Sequence, residues 1–171
     1  MKWAWSILYV GLLFCTSLRA ASFSQPDPKA HPDLYVWKDT CNVYLLRDGD
    51  AAVVINLGDG SVLDHLAEIR VKRVEWVLLS DHHRELSQGI AHLDRQQTKV
   101  AAPKEEQELF ETPNLFRKWN PRLSDKFSVH GASFVRPPSA PLKVDRWLIP
   151  DEVFEWRGRK IQCVSTPGHS P

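Results

Sequence analysis

The sequence predicts an α/β fold built in layers, and three observations carry that prediction. Short apolar runs alternate with amphipathic stretches through residues 34–110. An Asp48-Gly49 pair separates two of those runs, as a tight hairpin requires. Val62, Leu63, Leu66 and Ile69 fall at helical spacing between strand-like segments.

Residues 34–37, 42–46 and 51–56 read as the first three strands, the last two joined through Arg47-Asp48-Gly49-Asp50. Residues 57–60 form a turn. Ser61 is expected to cap the following helix, with Asp64 as its capping-box partner. Residues 74–79 form the next strand, and the helix after it carries Ile90 and Leu93 inward. Residues 99–102 are a short strand. Pro103 suits the first turn of a helix running through Glu105, Leu109 and Phe110. Residues 112–141 break the rhythm with five prolines and a basic excess. A stretch of this kind is a solvated insertion or a lid over a site, with Phe116 and Trp119 as substrate contacts in the second case. Residues 151–156 and 160–164 then form a hairpin around Arg157-Gly158.

The chain of 171 residues is long enough for one domain with its own core. Its first twenty residues stand apart. Lys2, an apolar run to Cys15 and a small-residue end at Ala20-Ala21 describe a secretory signal peptide, cut after Ala20 or Ala21. The rival reading is an uncleaved anchor; lipid attachment at Cys15 is disfavoured by the bulky Phe14 before it. This gives a signal peptide at 1–20, an extended lead-in at 21–32 and one domain at 33–171. The mature protein is expected to be exported, periplasmic or secreted, with no stable membrane insertion.

Removing residues 1–20 takes Lys2 and Arg19 and leaves 20 basic against 21 acidic residues, a net charge of −1. Bulk charge of that size does not draw a protein to nucleic acid. Cys41 and Cys163 remain in the exported part, as a disulfide or as two buried thiols. No G-x-S-x-G elbow, P-loop or G-x-G-x-x-G fingerprint is present.

Chemistry concentrates in Ser80-Asp81-His82-His83-Arg84-Glu85-Leu86-Ser87-Gln88-Gly89, at the end of a strand, and in Thr166-Pro167-Gly168-His169 far downstream. These segments resemble the metallo-β-lactamase superfamily, whose signature is H-x-H-x-D-H-x-x-G followed later by a Pro-Gly-His turn. Asp81, His83, Glu85 and Leu86 stand where that signature has His, His, Asp and His, and Gly89 falls on its glycine. Asn42-Val43-Tyr44-Leu45 and Val54-Ile55-Asn56-Leu57-Gly58 resemble two earlier strands of the superfamily in the same order.

The resemblance implies an αββα sandwich of which this chain holds the N-terminal half to two-thirds. It implies a small-molecule substrate and a metal-activated water. Asp81, His83 and His169 would hold one ion at most, zinc or another divalent transition metal, with Asp81 or Glu85 as general base. Leu86 has no donor atom for a second ion. His82 faces the wrong way in the superfamily register. Asn56 replaces an acidic residue that supports the metal loop from behind. Three outcomes follow from this set: an ester-, thioester- or amide-directed hydrolase, a non-catalytic binding protein on the same scaffold, or an inactive fragment.

Overall fold

The computed structural model describes residues 22–115 and 136–166. The expected signal peptide, Phe116, Trp119 and His169 lie outside the described residues. Six strands make one sheet: β1 (Leu34–Lys38), β2 (Asn42–Asp48), β3 (Ala51–Ile55), β4 (Arg73–Leu78), β5 (Lys99–Pro103) and β6 (Arg146–Leu148), in that spatial order. The first three run antiparallel through tight connections. From β3 to β6 the neighbours are parallel. A separate hairpin is formed by β7 (Val153–Trp156) and β8 (Arg159–Gln162).

The alternation of side chains along the central strands decides the layers. Ala52, Val54, Val77, Val100 and Ala102 point to one face, where Val62, Ile69, Ile90 and Phe110 from the helical segments cover them. Ala51, Val53, Leu78 and Ala101 point to the other, where Phe154 and Trp156 of the hairpin pack. The result is helices, sheet, sheet: three consecutive layers of the expected αββα order. Both faces of β3, β4 and β5 are buried, which is why their sequences read as near-continuous apolar runs.

Some details depart from the sequence reading, among them Pro103, which ends β5 rather than opening a helix. The segment Ser61–Ile69 is a 3-10 helix, and Ser61 does not cap it. Asp59 accepts the Ser61 N–H at 2.8 Å, while the Ser61 hydroxyl is engaged with Trp37 Nε1 at 3.1 Å and Asp39. Asp59, two residues before Ser61, already satisfies that amide through a local turn, so the hydroxyl is left to the tertiary contacts. A further departure is β6, which sequence inspection passes over because three residues ending before Ile149-Pro150 carry no period of their own. Residues 151 and 152, expected in the next strand, precede it, and Asp151 takes a left-handed φ of 60°. Among the described residues no helix is long and apolar enough to cross a membrane.

An ion-pair network fastens the hairpin to the sheet. Arg157, at a hairpin turn with a left-handed φ of 50°, presents its guanidinium to both oxygens of Glu75 at 2.6 and 3.0 Å. Trp156 Nε1 donates to the same carboxylate at 2.8 Å, and Arg73 reaches it at 3.2 Å. Arg159 pairs with Asp33 at 2.8 Å. Arg157, opposed by partial burial and helped by Trp156 and Arg73, holds the Glu75 carboxyl at about 2 against an ordinary 4.5. A depressed folded pKa stabilises fully above pH 4.5 and loses that contribution as pH falls toward about 2. The Glu75 side chain is 28% exposed, so screening trims the effect to about 1 kcal/mol. Glu75→Gln is therefore expected to lower stability by about 1 kcal/mol at neutral pH, with the gap closing toward pH 2 in urea titrations. A gap that is the same at both pH values would mean that the charge of Glu75 contributes nothing.

Candidate functional site

The C-terminal ends of β3, β4, β5 and β6 open on one edge of the sheet, the place where parallel α/β sheets expose their loops. The loop after β3 holds Asn56, the loop after β4 the Asp81–Glu85 motif, and the segment after β5 Glu106. The chain leaving β8 ends its described part at Thr166.

Asn56 sits in a left-handed turn with φ 58°, a conformation Asn tolerates better than most residues, and is buried. Its Oδ1 accepts the Ser80 N–H at 3.0 Å. Support from behind the motif loop is thus present as a neutral amide rather than a carboxylate. Asp81 Oδ1 accepts the His83 N–H at 2.8 Å, and Oδ2 lies 3.2 Å from the Ser80 hydroxyl, which donates to it. The His83 ring then lies between two carboxylates, its Nδ1 3.7 Å from Asp81 and 3.4 Å from Glu85. His83 directly precedes the short helix α1 (Arg84–Ser87).

The structure accordingly brings Asp81, His83 and Glu85 together. His82 goes elsewhere. Its ring is buried, with Nδ1 3.2 Å from a carboxylate oxygen of Glu106, itself buried. Sequence reasoning gives Glu106 no role: it falls inside the helix expected to run from Pro103 through Glu105, Leu109 and Phe110. A signal did exist: Glu106 lies three and four residues before Leu109 and Phe110, on the buried side of α2 (Gln107–Glu111).

Two glycine-rich backbones press the motif into place. Gly89 N donates to Gly58 O at 2.8 Å, and Leu57 N to Leu86 O at 2.8 Å. From the other sides, Thr40 Oγ1 donates to the Glu85 carbonyl at 2.8 Å, and Arg84 N to the Arg136 carbonyl at 2.7 Å. Arg84 Nε also donates to the Pro137 carbonyl, so the returning end of the Pro-rich segment abuts the motif helix.

Beside the motif lies a cavity of about 280 Å³, walled by Ile55, Leu78, Leu148 and Val164, with Ser80 and Thr166 at its polar side. Cys163 also lines it. Cys41 and Cys163 are free and half-buried, and burial pushes both thiols up, Cys41 to about 11. Neither thiol is set up as a nucleophile. Among the described residues no group of three or more His, Cys, Asp or Glu side chains is arranged to hold a metal ion. The described donors do not complete a metal centre by themselves.

Solved structures share this arrangement of sheet, helices and hairpin. MIM-1 from Novosphingobium pentaromativorans superposes with a TM-score of 0.60 at 20% identity, over 81% of this chain and 50% of that one. FEZ-1 from Legionella gormanii gives a TM-score of 0.58 at 22% identity, over 81% and 52%. The Cronobacter sakazakii protein described by its HARLDQ motif gives 0.58 at 19%, over 82% and 54%. All three are metallo-β-lactamases. The chain has the metallo-β-lactamase fold. It spans about half the length of these metallo-β-lactamase-fold structures. The sequence itself matches no family model and no curated protein.

Substitutions at two positions probe how the metallo-β-lactamase-fold scaffold holds its motif loop. A Cβ on Gly89 would lie 2.5 Å from Gly60 Cα and 2.6 Å from Gly60 N. Backbone cannot yield as a side-chain tip can, so Gly89→Ala is expected to cost about 1–3 kcal/mol in urea denaturation. Asn56→Gly removes the acceptor for Ser80 N–H and keeps the backbone relaxed, whereas Asn56→Ala adds left-handed strain. Ala should be the less stable by about 1–2 kcal/mol in the same assay.

Proposed function

We propose that this chain supplies about half of an exported metal-dependent hydrolase, acting on an ester-, thioester- or amide-like small molecule with one divalent transition-metal ion at most. The observation that carries this reading is the meeting of two loops. Ser80, which leads into the His83 motif, and Thr166, three residues before His169, line the same cavity. Asp81, His83 and His169 are the residues that would hold the ion, a set of two imidazoles and one carboxylate suited to zinc. When bound, such an ion supplies a water of lowered pKa and polarises a carbonyl.

The chain's own residues do the rest. Asp81 fixes the loop by accepting the His83 N–H. Glu85, 3.4 Å from the His83 ring, would serve as the general base, with Asp81 as the other candidate. The apolar cavity wall would take the uncharged part of the substrate. Leu86 offers no donor to a second ion. Departure from the H-x-H-x-D-H signature does not by itself argue against the reading. The Cronobacter sakazakii metallo-β-lactamase has HARLDQ, with Arg and Gln at the third and sixth positions.

One observation favours a second reading, a non-catalytic binding protein on the same scaffold. Both Asp81 oxygens are engaged in local hydrogen bonds, and His82 is directed into the interior. Elemental mass spectrometry of the full-length exported protein, beside a His83→Ala, His169→Ala double variant, separates the two. About one equivalent of transition metal, lost in the double variant, is the expected result. A folded protein that stays metal-free after reconstitution would leave the non-catalytic reading standing.

A further inference from the structure

The cavity beside the motif is apolar over much of its wall, and one charge stands in that wall. Among the described residues that line it, Glu105 is the only charged one. Its Oε2 accepts the Ser165 hydroxyl at 3.4 Å, and among the described residues no Lys or Arg pairs with it. The neighbouring cation, Lys104, turns instead to Gln107 and to the face of the Trp147 ring. Arg146 is engaged by Glu152 at 3.3 Å. A carboxylate without a cationic partner, set beside an apolar wall, draws cations and repels anions. One carboxylate does not supply the several oxygen ligands that a hard metal ion needs. With Ile149 and Val164 leaving apolar surface exposed beside it, the site fits an organic cation whose hydrocarbon part lies on the wall.

We propose that this cavity selects substrates carrying a cationic amine on an apolar body, and that Glu105 is the residue that recognises the amine. The inference rests on the reading that the cavity receives the substrate. Glu105 follows β5, whereas Ser80 and the Asp81–His83 motif follow β4. The amine is thus held by a different loop from the one that carries the reacting groups, so Glu105 acts on binding and orientation. An anionic compound of the same shape meets like charge and is rejected.

Cys163 lines the same cavity and serves as the reporter for the test. The full-length exported protein is treated at neutral pH with methyl methanethiosulfonate, an uncharged thiol reagent, and labelling of Cys163 is followed by peptide mass spectrometry. Two competitors of nearly equal size are compared, 2-phenylethylammonium and 2-phenylethanol. The ammonium is expected to half-protect Cys163 at a concentration about fivefold lower than the alcohol. Glu105→Gln keeps an acceptor for the Ser165 hydroxyl and removes the charge, and it is expected to make the two competitors equal. Glu105→Lys is expected to put the alcohol ahead. An alcohol that protects as well as the ammonium in the wild type overturns the proposal whichever variants fold, and so does failure of both compounds to protect. A preference for the ammonium that survives in a folded Glu105→Gln or Glu105→Lys overturns it as well. The readout needs neither metal nor turnover. A metal-free protein that still prefers the ammonium would retire the hydrolase reading alone, and a metal-loaded protein without the preference would retire this inference alone.

Discussion

Burial of the central strands on both faces is the constraint from which the rest of the structure follows. β3, β4 and β5 can be covered twice only if helices lie on one side and a second sheet on the other. That requirement sends every strand-to-helix connection from β3 onward to the same edge. Asn56, the Asp81–Glu85 motif and Glu106 meet there because three parallel strands end there. The chemistry-bearing residues are neighbours through topology, although 50 positions separate the first from the last.

At that edge, the motif is held from several directions, mostly through its backbone. Gly58 and Gly89 join backbone to backbone, Thr40 holds the Glu85 carbonyl, and Arg84 reaches the carbonyls of residues 136 and 137. The Asp81 carboxylate is itself part of this frame, accepting from His83 N and Ser80 Oγ. A neighbouring acidic pair belongs to the same region. Burial, with the adjacent Asp59, pushes Asp39 up, while the Ser61 N–H holds Asp59 down. The frame therefore contains polar groups whose role is to shape the loops.

Much of the architecture could be read from the residues. The hairpin at Gly49 and the one at Arg157-Gly158 stand where Asp-Gly and Arg-Gly interrupt apolar runs, and both glycines take a left-handed φ, 61° and 77°. The proximity of Asp81, His83 and Glu85 was legible because they lie within five residues of one another. Ser61 was misread as a cap because its hydroxyl answers to Trp37 and Asp39, partners more than twenty residues away. β6 was passed over because it owes its conformation to pairing with β5. Glu106 was missed for a similar reason: its surroundings are set by a loop from another strand.

The Arg157–Glu75 contact joins residues 82 positions apart, and this separation shapes the order of assembly. The antiparallel pairs β1–β2 and β2–β3 close over short loops and can form early. The hairpin must wait for the parallel strands, since its anchor Glu75 lies in β4. Until it docks, Ala51, Val53, Leu78 and Ala101 form a bare apolar face on a half-built sheet. Such an intermediate is prone to self-association. In such an order of assembly the arginine at the hairpin turn would be a late latch, and the face it closes would be open until then.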